Sequence, residues 1–283
     1  MAIELNLETV HTPPRDAATV MVLRDAPGGP GVEVLMLRRH ANSGVLGGAY
    51  VYPGGKLDAD DHALAQAVGD ARSGEAALRV AALRETFEEC GLWLARGPVA
   101  APALAQARAA HAAQESFGAV VGSSGLALEP DALTPWARWI TPKTPSVMNK
   151  RFDTRFFAAL APAGQQARHD NHEATEALWL RPREGLSRYW DGAIDLAPPQ
   201  IMTLMELARF ARAADALAYA AARAVPIIEP EPFDMDGTRT ICYPGDERHS
   251  LRTPAWVGPS RLSYRNRRFE PRGGLADLLV GAL

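Results

Sequence analysis

The segment Arg84-Glu85-Thr86-Phe87-Glu88-Glu89-Cys90-Gly91-Leu92 carries the pattern that decides the fold. Its three glutamates stand at positions i, i+3 and i+4, which an α-helix brings to one face. The Ala- and Leu-rich sequence from residue 75 to 90 predicts such a helix, and Gly91 is placed to end it.

Three carboxylates on one helix face repel one another unless a positive charge lies among them. Mg²⁺ and Mn²⁺ prefer oxygen ligands, so the spacing favours a divalent-cation site. Arg84 directly precedes the cluster and can hold one carboxylate in position. The ordinary alternative is a solvated acidic helix face.

The sequence around this helix predicts an α+β protein. Upstream, strands at 17–24 and 32–38 form a hairpin, and the turn Pro53-Gly54-Gly55 follows an aromatic strand. Glycines let the backbone of this turn approach a phosphate or a metal closely. Downstream we predict strands at 136–140, 151–160 and 174–180, and helices at 103–117, 182–190 and 199–222. Because strands and helices do not alternate regularly, the pattern favours an α+β architecture.

Composition excludes several classes of protein. The 283 residues carry 30 Lys and Arg against 33 Asp and Glu, so no basic excess drives binding to nucleic acid. The two cysteines exclude a disulfide scaffold and a Cys-rich zinc module. We find no apolar run of roughly 18 residues and no basic region at the start, so we expect no membrane segment and a cytoplasmic location.

The glycine turn and the glutamate helix together resemble the Nudix box, G-x5-E-x7-R-E-U-x-E-E-x-G-U, where U is apolar. Its second half matches at Arg84, Glu85, Glu88, Glu89 and the Gly91-Leu92 pair. From Gly55 to Arg84 the chain runs 29 positions, where the family pattern has 14. We therefore predict a surface insertion at about 59–74 that does not carry catalysis.

The resemblance implies a Nudix α/β/α sandwich with a mixed sheet, inserted helices and a C-terminal extension. It places the Nudix hydrolase domain at 15–222, with a further helical insertion at about 103–123. Residues 223–283 form an extension of unassigned role. Its five arginines between 261 and 272 suit a solvated edge, or an arm that contacts phosphate or a second chain.

Three segments are similar to the coenzyme A diphosphatase branch of the family, namely 48–58, 144–157 and 196–200. This likeness implies hydrolysis of coenzyme A or acyl-coenzyme A to 3′,5′-ADP and (acyl-)phosphopantetheine. Gly44 stands where that branch has an arginine. An ADP-ribose or NADH diphosphatase, or a nucleotide sensor that does not cleave its ligand, therefore stays an alternative.

The resemblance also implies roles for individual residues. Mg²⁺ or Mn²⁺ would be held by Gly54, Glu85, Glu88 and Glu89, beside Arg84. The candidates for the general base are Glu173, Glu176 or one of the helix glutamates.

Four cations are candidates for holding the phosphates, although each also suits an ordinary surface charge: Arg38, Arg39, Lys150 and Arg151. Lys150 and Arg151 are the candidates for the 3′-phosphate of coenzyme A. Trp136, Trp139 and Trp179 could stack on a base, although core packing is the commoner role of a tryptophan. The expected partner is a small nucleotide, with no nucleic acid and no membrane, and the family resemblance favours a homodimer.

Overall fold

A computed structural model describes residues 8–43, 46–69, 75–144, 150–169 and 174–280. The strands of the main sheet are β1 (Arg15–Asp25), β2 (Val32–Arg39), β3 (Tyr50–Val51), β4 (Gly54–Lys56), β5 (Thr134–Ile140), β6 (Phe152–Leu160), β7 (Ala174–Leu180) and β8 (Ile227–Ile228). The helices are α1 (Ala59–Ala67), α2 (Ala76–Cys90), α3 (Ala101–Ala112), α4 (Phe117–Ser124), α5 (Pro182–Trp190), α6 (Pro198–Leu207), α7 (Ala213–Ala221) and α8 (Leu275–Leu278). A second sheet contains β9 (Glu231–Met235), β10 (Thr238–Cys242), β11 (Arg261–Arg265) and β12 (Arg268–Glu270).

The main sheet is mixed. Its order is β3-β2-β1-β6-β5-β8, with β4 also paired to β1 and β7 to β2. Strand β1 runs parallel to β6 and antiparallel to β2. Seven consecutive residues of β1 are buried, which requires that both faces of the sheet be covered.

Two hydrophobic cores account for this burial. Val20 and Val22 of β1 point into a core formed with α1 to α4, whereas Met21 and Leu23 point into a core formed with α5 to α7 and the second sheet. The side chains of a strand alternate between its two faces. The result is the predicted α/β/α sandwich.

Most predicted elements lie where the sequence placed them, but two predicted helices are interrupted. The helix predicted at 103–117 ends at Ala112, and Phe117 begins α4. The helix predicted at 199–222 is also two helices. The chain leaves the helical path between Leu207 and Ala213. A carboxylate oxygen of Asp25 accepts a hydrogen bond from the amide of Ala213 at 2.7 Å and so caps the start of α7. This partner is 188 residues away, so no local pattern reveals the break.

The predicted helical insertion near 103–123 contains α3 and α4, which pack on the same side of the sheet as α2. The predicted domain boundary at residue 222 falls between α7 and β8. Because β8 pairs with β5 in parallel, the main sheet continues to Ile228.

The C-terminal segment packs on the sandwich as a four-stranded antiparallel sheet. Its Asp236-Gly237 turn has positive φ at both residues, as a tight hairpin turn requires. The hydroxyl of Tyr189 in α5 donates to the carbonyl of Phe269 and accepts from its amide. Two of the five arginines form internal ion pairs, Arg261 with Asp246 and Arg268 with Glu270. Within the described ranges, no helix is both long and apolar enough to cross a membrane.

Candidate active site

Helix α2 forms the centre of the candidate site. It ends at Gly91, which adopts a left-handed conformation with φ of 65°, as predicted. The alternative of a solvated acidic face does not hold. The side chains of Glu85 and Glu88 are 15% and 29% exposed, and Glu89 is buried.

Arg84 ties the acidic groups together. Its Nη1 donates to Glu85 Oε1 and to Glu88 Oε2, both at 2.9 Å. Its Nε and Nη2 donate to the two carboxylate oxygens of Asp61, also at 2.9 Å. Burial alone would lower the pKa of Arg84, but the hydrogen bonds that it donates to Asp61 and the negative charges of Glu85, Asp61 and Glu88 raise this pKa above its ordinary value. Arg84 is therefore permanently charged and orients two of the three glutamates.

The segment at about 59–74, predicted as a surface insertion that does not carry catalysis, contacts the site through Asp61. Helix α1 begins with a capping box between Asp58 and Asp61, and Asp61 is fully buried against Arg84. The sequence patterns described above did not indicate this residue. The available signal was the acidic pair at N-cap and N3 ahead of a helix, which is typical of a capping box.

The glycine turn packs directly against the glutamates. The amide of Gly54 donates to Glu89 Oε2 at 2.8 Å. A Cβ atom on Gly55 would lie 2.2 Å from Glu85 Oε1, and one on Gly54 would lie 2.4 Å from the carbonyl oxygen of Ala18. Both positions therefore need glycine, because any side chain would collide with the backbone or displace Glu85.

The four predicted metal ligands are Gly54 and the three glutamates. The glutamates suit a divalent cation by donor chemistry, but they do not form a ready-made cage. Within the described part of the chain, no three Asp, Glu, His or Cys side chains are arranged to hold a metal ion. The structure instead holds Glu85 and Glu88 on Arg84 and Glu89 on the Gly54 amide. The donors are hard carboxylate oxygens, as Mg²⁺ and Mn²⁺ prefer, so the residues fit such an ion.

A cavity of about 740 Å³ opens beside this cluster. Glu85 and the turn from Gly54 to Asp58 border it on one side. Much of the remaining wall is apolar and belongs to the core shared by α6 and the second sheet, with Tyr52, Trp139, Phe156 and Ile241 among its residues. The cavity therefore joins an acidic border to an apolar wall.

Of the four predicted phosphate-binding cations, only some lie at the cavity. Arg39 and Lys150 line the cavity, whereas Arg38 and Arg151 do not. Arg151 is buried, and its Nε donates to the carbonyl of Thr141 at 2.9 Å. Because its guanidinium is hydrogen-bonded to the backbone, Lys150 is the better candidate for binding a 3′-phosphate.

The predicted general bases also differ in their position relative to the cavity. Glu173 lies outside the described residues. Glu176 does not line the cavity, and its Oε2 accepts a hydrogen bond from the hydroxyl of Tyr50 at 2.6 Å. Burial and this hydrogen bond raise the pKa of Tyr50 to about 12. Among the candidates that lie in the described residues, Glu85 is the one that borders the cavity.

Comparison with known proteins shows what this chain is similar to. The model of the NUDT19 Nudix domain matches residues 62–209. The acyl-coenzyme A diphosphatase NUDT19 of Gallus gallus is 29% identical over 314 residues, which cover 88% of this chain and 83% of that protein. The Homo sapiens protein of the same name is 28% identical over 254 residues, covering 72% of this chain and 68% of the relative.

A solved structure shares the fold. The crystal structure of a Nudix hydrolase from Alicyclobacillus acidocaldarius superimposes with a TM-score of 0.62 at 30% sequence identity. The match covers 74% of this chain and 97% of that one.

Proposed function

The chain belongs to the Nudix hydrolase family, in the group defined by the NUDT19 Nudix domain, and from this premise we propose that it hydrolyses coenzyme A or acyl-coenzyme A. The products would be 3′,5′-ADP and phosphopantetheine or its acyl form. The relatives in chicken and human are named acyl-coenzyme A diphosphatases, which supports this choice of substrate.

One structural observation carries the proposal. A single cavity joins Glu85, three cations (Arg39, Lys56 and Lys150) and a largely apolar wall. A coenzyme A thioester needs all three, because it carries a diphosphate, a further phosphate and a long, uncharged arm.

Diphosphates resist hydrolysis because their negative oxygens repel an incoming nucleophile. We assign Glu85, Glu88 and Glu89 as the residues that would hold Mg²⁺ or Mn²⁺. When bound, such an ion neutralises phosphate charge and lowers the pKa of a coordinated water. Water then attacks one phosphorus, and the bond from that phosphorus to the bridging oxygen breaks.

The chain itself supplies position and charge. Arg84 fixes Glu85 and Glu88. Arg39 and Lys150 line the cavity, and we assign them as cations that would pair with phosphate oxygens. Glu85 is our first choice to take the proton of the attacking water, with Glu176 as the second.

A substrate panel tests the proposal. Purified protein with Mg²⁺ or Mn²⁺ is given coenzyme A, an acyl-coenzyme A, ADP-ribose and NADH, and kcat/KM and the products are measured. Coenzyme A or its thioester should have the highest kcat/KM and yield 3′,5′-ADP. Turnover of ADP-ribose with none of coenzyme A would overturn the assignment of coenzyme A as the substrate. Binding of these compounds without turnover of any of them would favour a nucleotide sensor.

The cytoplasmic location and the homodimer remain predictions. Cell fractionation would test the first, and light scattering of the purified protein would test the second.

A further inference from the structure

One polar side chain interrupts the buried part of β1. Residues 17–23 of this strand are all buried, and Thr19 is the one among them that is not apolar. Burying a hydroxyl group costs free energy unless the group is hydrogen-bonded. Valine has the same shape and would avoid that cost, so the Thr19 hydroxyl needs a specific partner to explain its presence.

The partner of this hydroxyl is the glycine turn beside the glutamates. The Thr19 hydroxyl donates to the carbonyl of Pro53 at 2.7 Å, and the carbonyl of Tyr52 lies 3.3 Å away. A hydroxyl carries one proton, so the shorter contact is the main hydrogen bond. The amide of Val20 donates to the same Pro53 carbonyl at 2.9 Å. Strand β1 therefore holds this carbonyl oxygen with two donors.

The Pro53 carbonyl and the Gly54 amide belong to one peptide group. Because a peptide group is planar, an orientation that is fixed at the carbonyl end is also fixed at the N–H end. The Gly54 N–H donates to Glu89 Oε2 at 2.8 Å. A rigid peptide group thus connects the Thr19 hydroxyl to Glu89, which is buried on α2.

The contact between the turn and β1 is close. A Cβ atom on Gly54 would lie 2.6 Å from the Cα atom of Thr19, and Thr19 pairs with Gly54 in the sheet. A turn that shifted away from β1 would carry its amide away from Glu89. A carboxylate has two oxygens, so Glu89 can accept this hydrogen bond and still bind a cation.

We propose that Thr19 is a positioning residue for the metal site. Its hydroxyl fixes the Pro53–Gly54 peptide, and this peptide holds Glu89 in the orientation in which it would bind Mg²⁺ or Mn²⁺. The inference rests on the proposed function, because it takes Glu89 as a metal ligand. It gives β1 a part in metal binding that the sequence patterns did not indicate.

The experiment measures Mn²⁺ binding directly, without substrate. Metal-free wild type, Thr19→Val, Thr19→Ser and Thr240→Val are titrated with Mn²⁺, and the free ion is followed by electron paramagnetic resonance. Valine removes the hydroxyl group, and serine keeps it. Thr240 is the matched control, because it is buried in the second sheet and its hydroxyl lies 2.9 Å from that of Ser263. Melting temperatures confirm folding, and Thr19→Ala replaces Thr19→Val if the latter does not fold.

Thr19→Val should raise the Kd for Mn²⁺ about 5-fold, which is the effect of losing one hydrogen bond. Thr19→Ser and Thr240→Val should bind Mn²⁺ within about 2-fold of wild type, since the first keeps the hydroxyl and the second is remote from the turn. An unchanged Kd in Thr19→Val overturns the inference, and so does an equal rise in Thr19→Ser or in Thr240→Val.

Two further outcomes separate the inference from the proposed function. A lower kcat/KM for coenzyme A in Thr19→Val, with unchanged Mn²⁺ binding, would mean that the hydroxyl acts on the substrate, and it overturns the inference alone. Absence of Mn²⁺ binding by wild type overturns the metal site of the proposed function itself, and the inference with it.

Discussion

Replacing Asp61 by asparagine should destabilise the protein and impair the site, although Asp61 lies outside the glutamate helix. The carboxylate of Asp61 is fully buried and accepts three hydrogen bonds, two from Arg84 and one at 2.8 Å from the amide of Asp58. Asparagine has one acceptor oxygen in place of two. If that oxygen keeps the bonds at Oδ2, its NH₂ group faces Arg84 Nε, and donor meets donor.

The cost can be worked from these contacts. A hydrogen bond to a charged group contributes about 1.5–3 kcal/mol, and breaking a buried ion pair costs about 3–5 kcal/mol. Arg84 keeps Glu85 and Glu88, so we expect about 2–3 kcal/mol of lost free energy of unfolding. For a protein of this size, that lowers Tm by about 4–12 °C. The guanidinium of Arg84 positions two of the three glutamates. Because the variant holds this group less firmly, kcat should also fall by roughly 10- to 100-fold.

Asp60→Asn is the matched control, since Asp60 is the exposed neighbour on the same helix. Its effect on the free energy of unfolding should stay within about 0.5 kcal/mol. Thermal melts and coenzyme A hydrolysis are measured for both variants. If Asp61→Asn melts and turns over like Asp60→Asn, the insertion is independent of the site and our reasoning fails.

Four further outcomes follow from the structure. Glu88→Gln should keep the fold by circular dichroism and lower coenzyme A turnover about 10³-fold, and near-normal turnover would argue against a metal site. Gly55→Ala should lower turnover because its methyl group displaces Glu85, and equal rates in the variant and wild type would show that the turn can move. Lys150→Ala should bring kcat/KM for coenzyme A closer to that for dephospho-coenzyme A, and an unchanged ratio would remove Lys150 from the 3′-phosphate. Asp246→Asn should lower the free energy of unfolding most near neutral pH, and the difference from wild type should shrink in acid. A difference that does not depend on pH would contradict this prediction.

The sign for Asp246 comes from its surroundings. Burial alone would raise the pKa of this carboxyl, but hydrogen bonds from Arg261 and Ser260 lower it below its ordinary value. A lowered pKa in the folded state stabilises the protein above the ordinary value of about 3.9, and this contribution is lost as the pH falls through the folded pKa. Denaturant unfolding of wild type and Asp246→Asn, at steps of about one pH unit between pH 3 and pH 7, would measure this contribution to the free energy of unfolding.

The sequence predicted the parts of this protein that depend on local patterns. The helix of residues 76–90, its glycine end and the face shared by Glu85, Glu88 and Glu89 follow from periodicity. The comparisons confirm the Nudix resemblance and the α+β fold that this segment indicated. Helix capping, turn chemistry and helical spacing depend on residues a few positions apart, so they can be recognised in a single sequence.

The features that the sequence did not reveal depend on distant partners. Asp61 is bound by Arg84 from 23 positions away, and Asp25 caps α7 from 188 positions away. Lys150 and Arg151 are neighbours in sequence, yet only the first lines the cavity.

The most direct test of the central claim is a metal titration of coenzyme A hydrolysis. Wild type and Glu85→Gln are stripped with EDTA, and the release of 3′,5′-ADP is followed as Mg²⁺ or Mn²⁺ is added back. We predict that stripped wild type is inactive and recovers with added metal. The variant should remain at least about 10²-fold slower at saturating metal. Full activity of wild type in EDTA, or equal rates for the two proteins at saturating metal, would contradict the assignment of the α2 glutamates as the metal site.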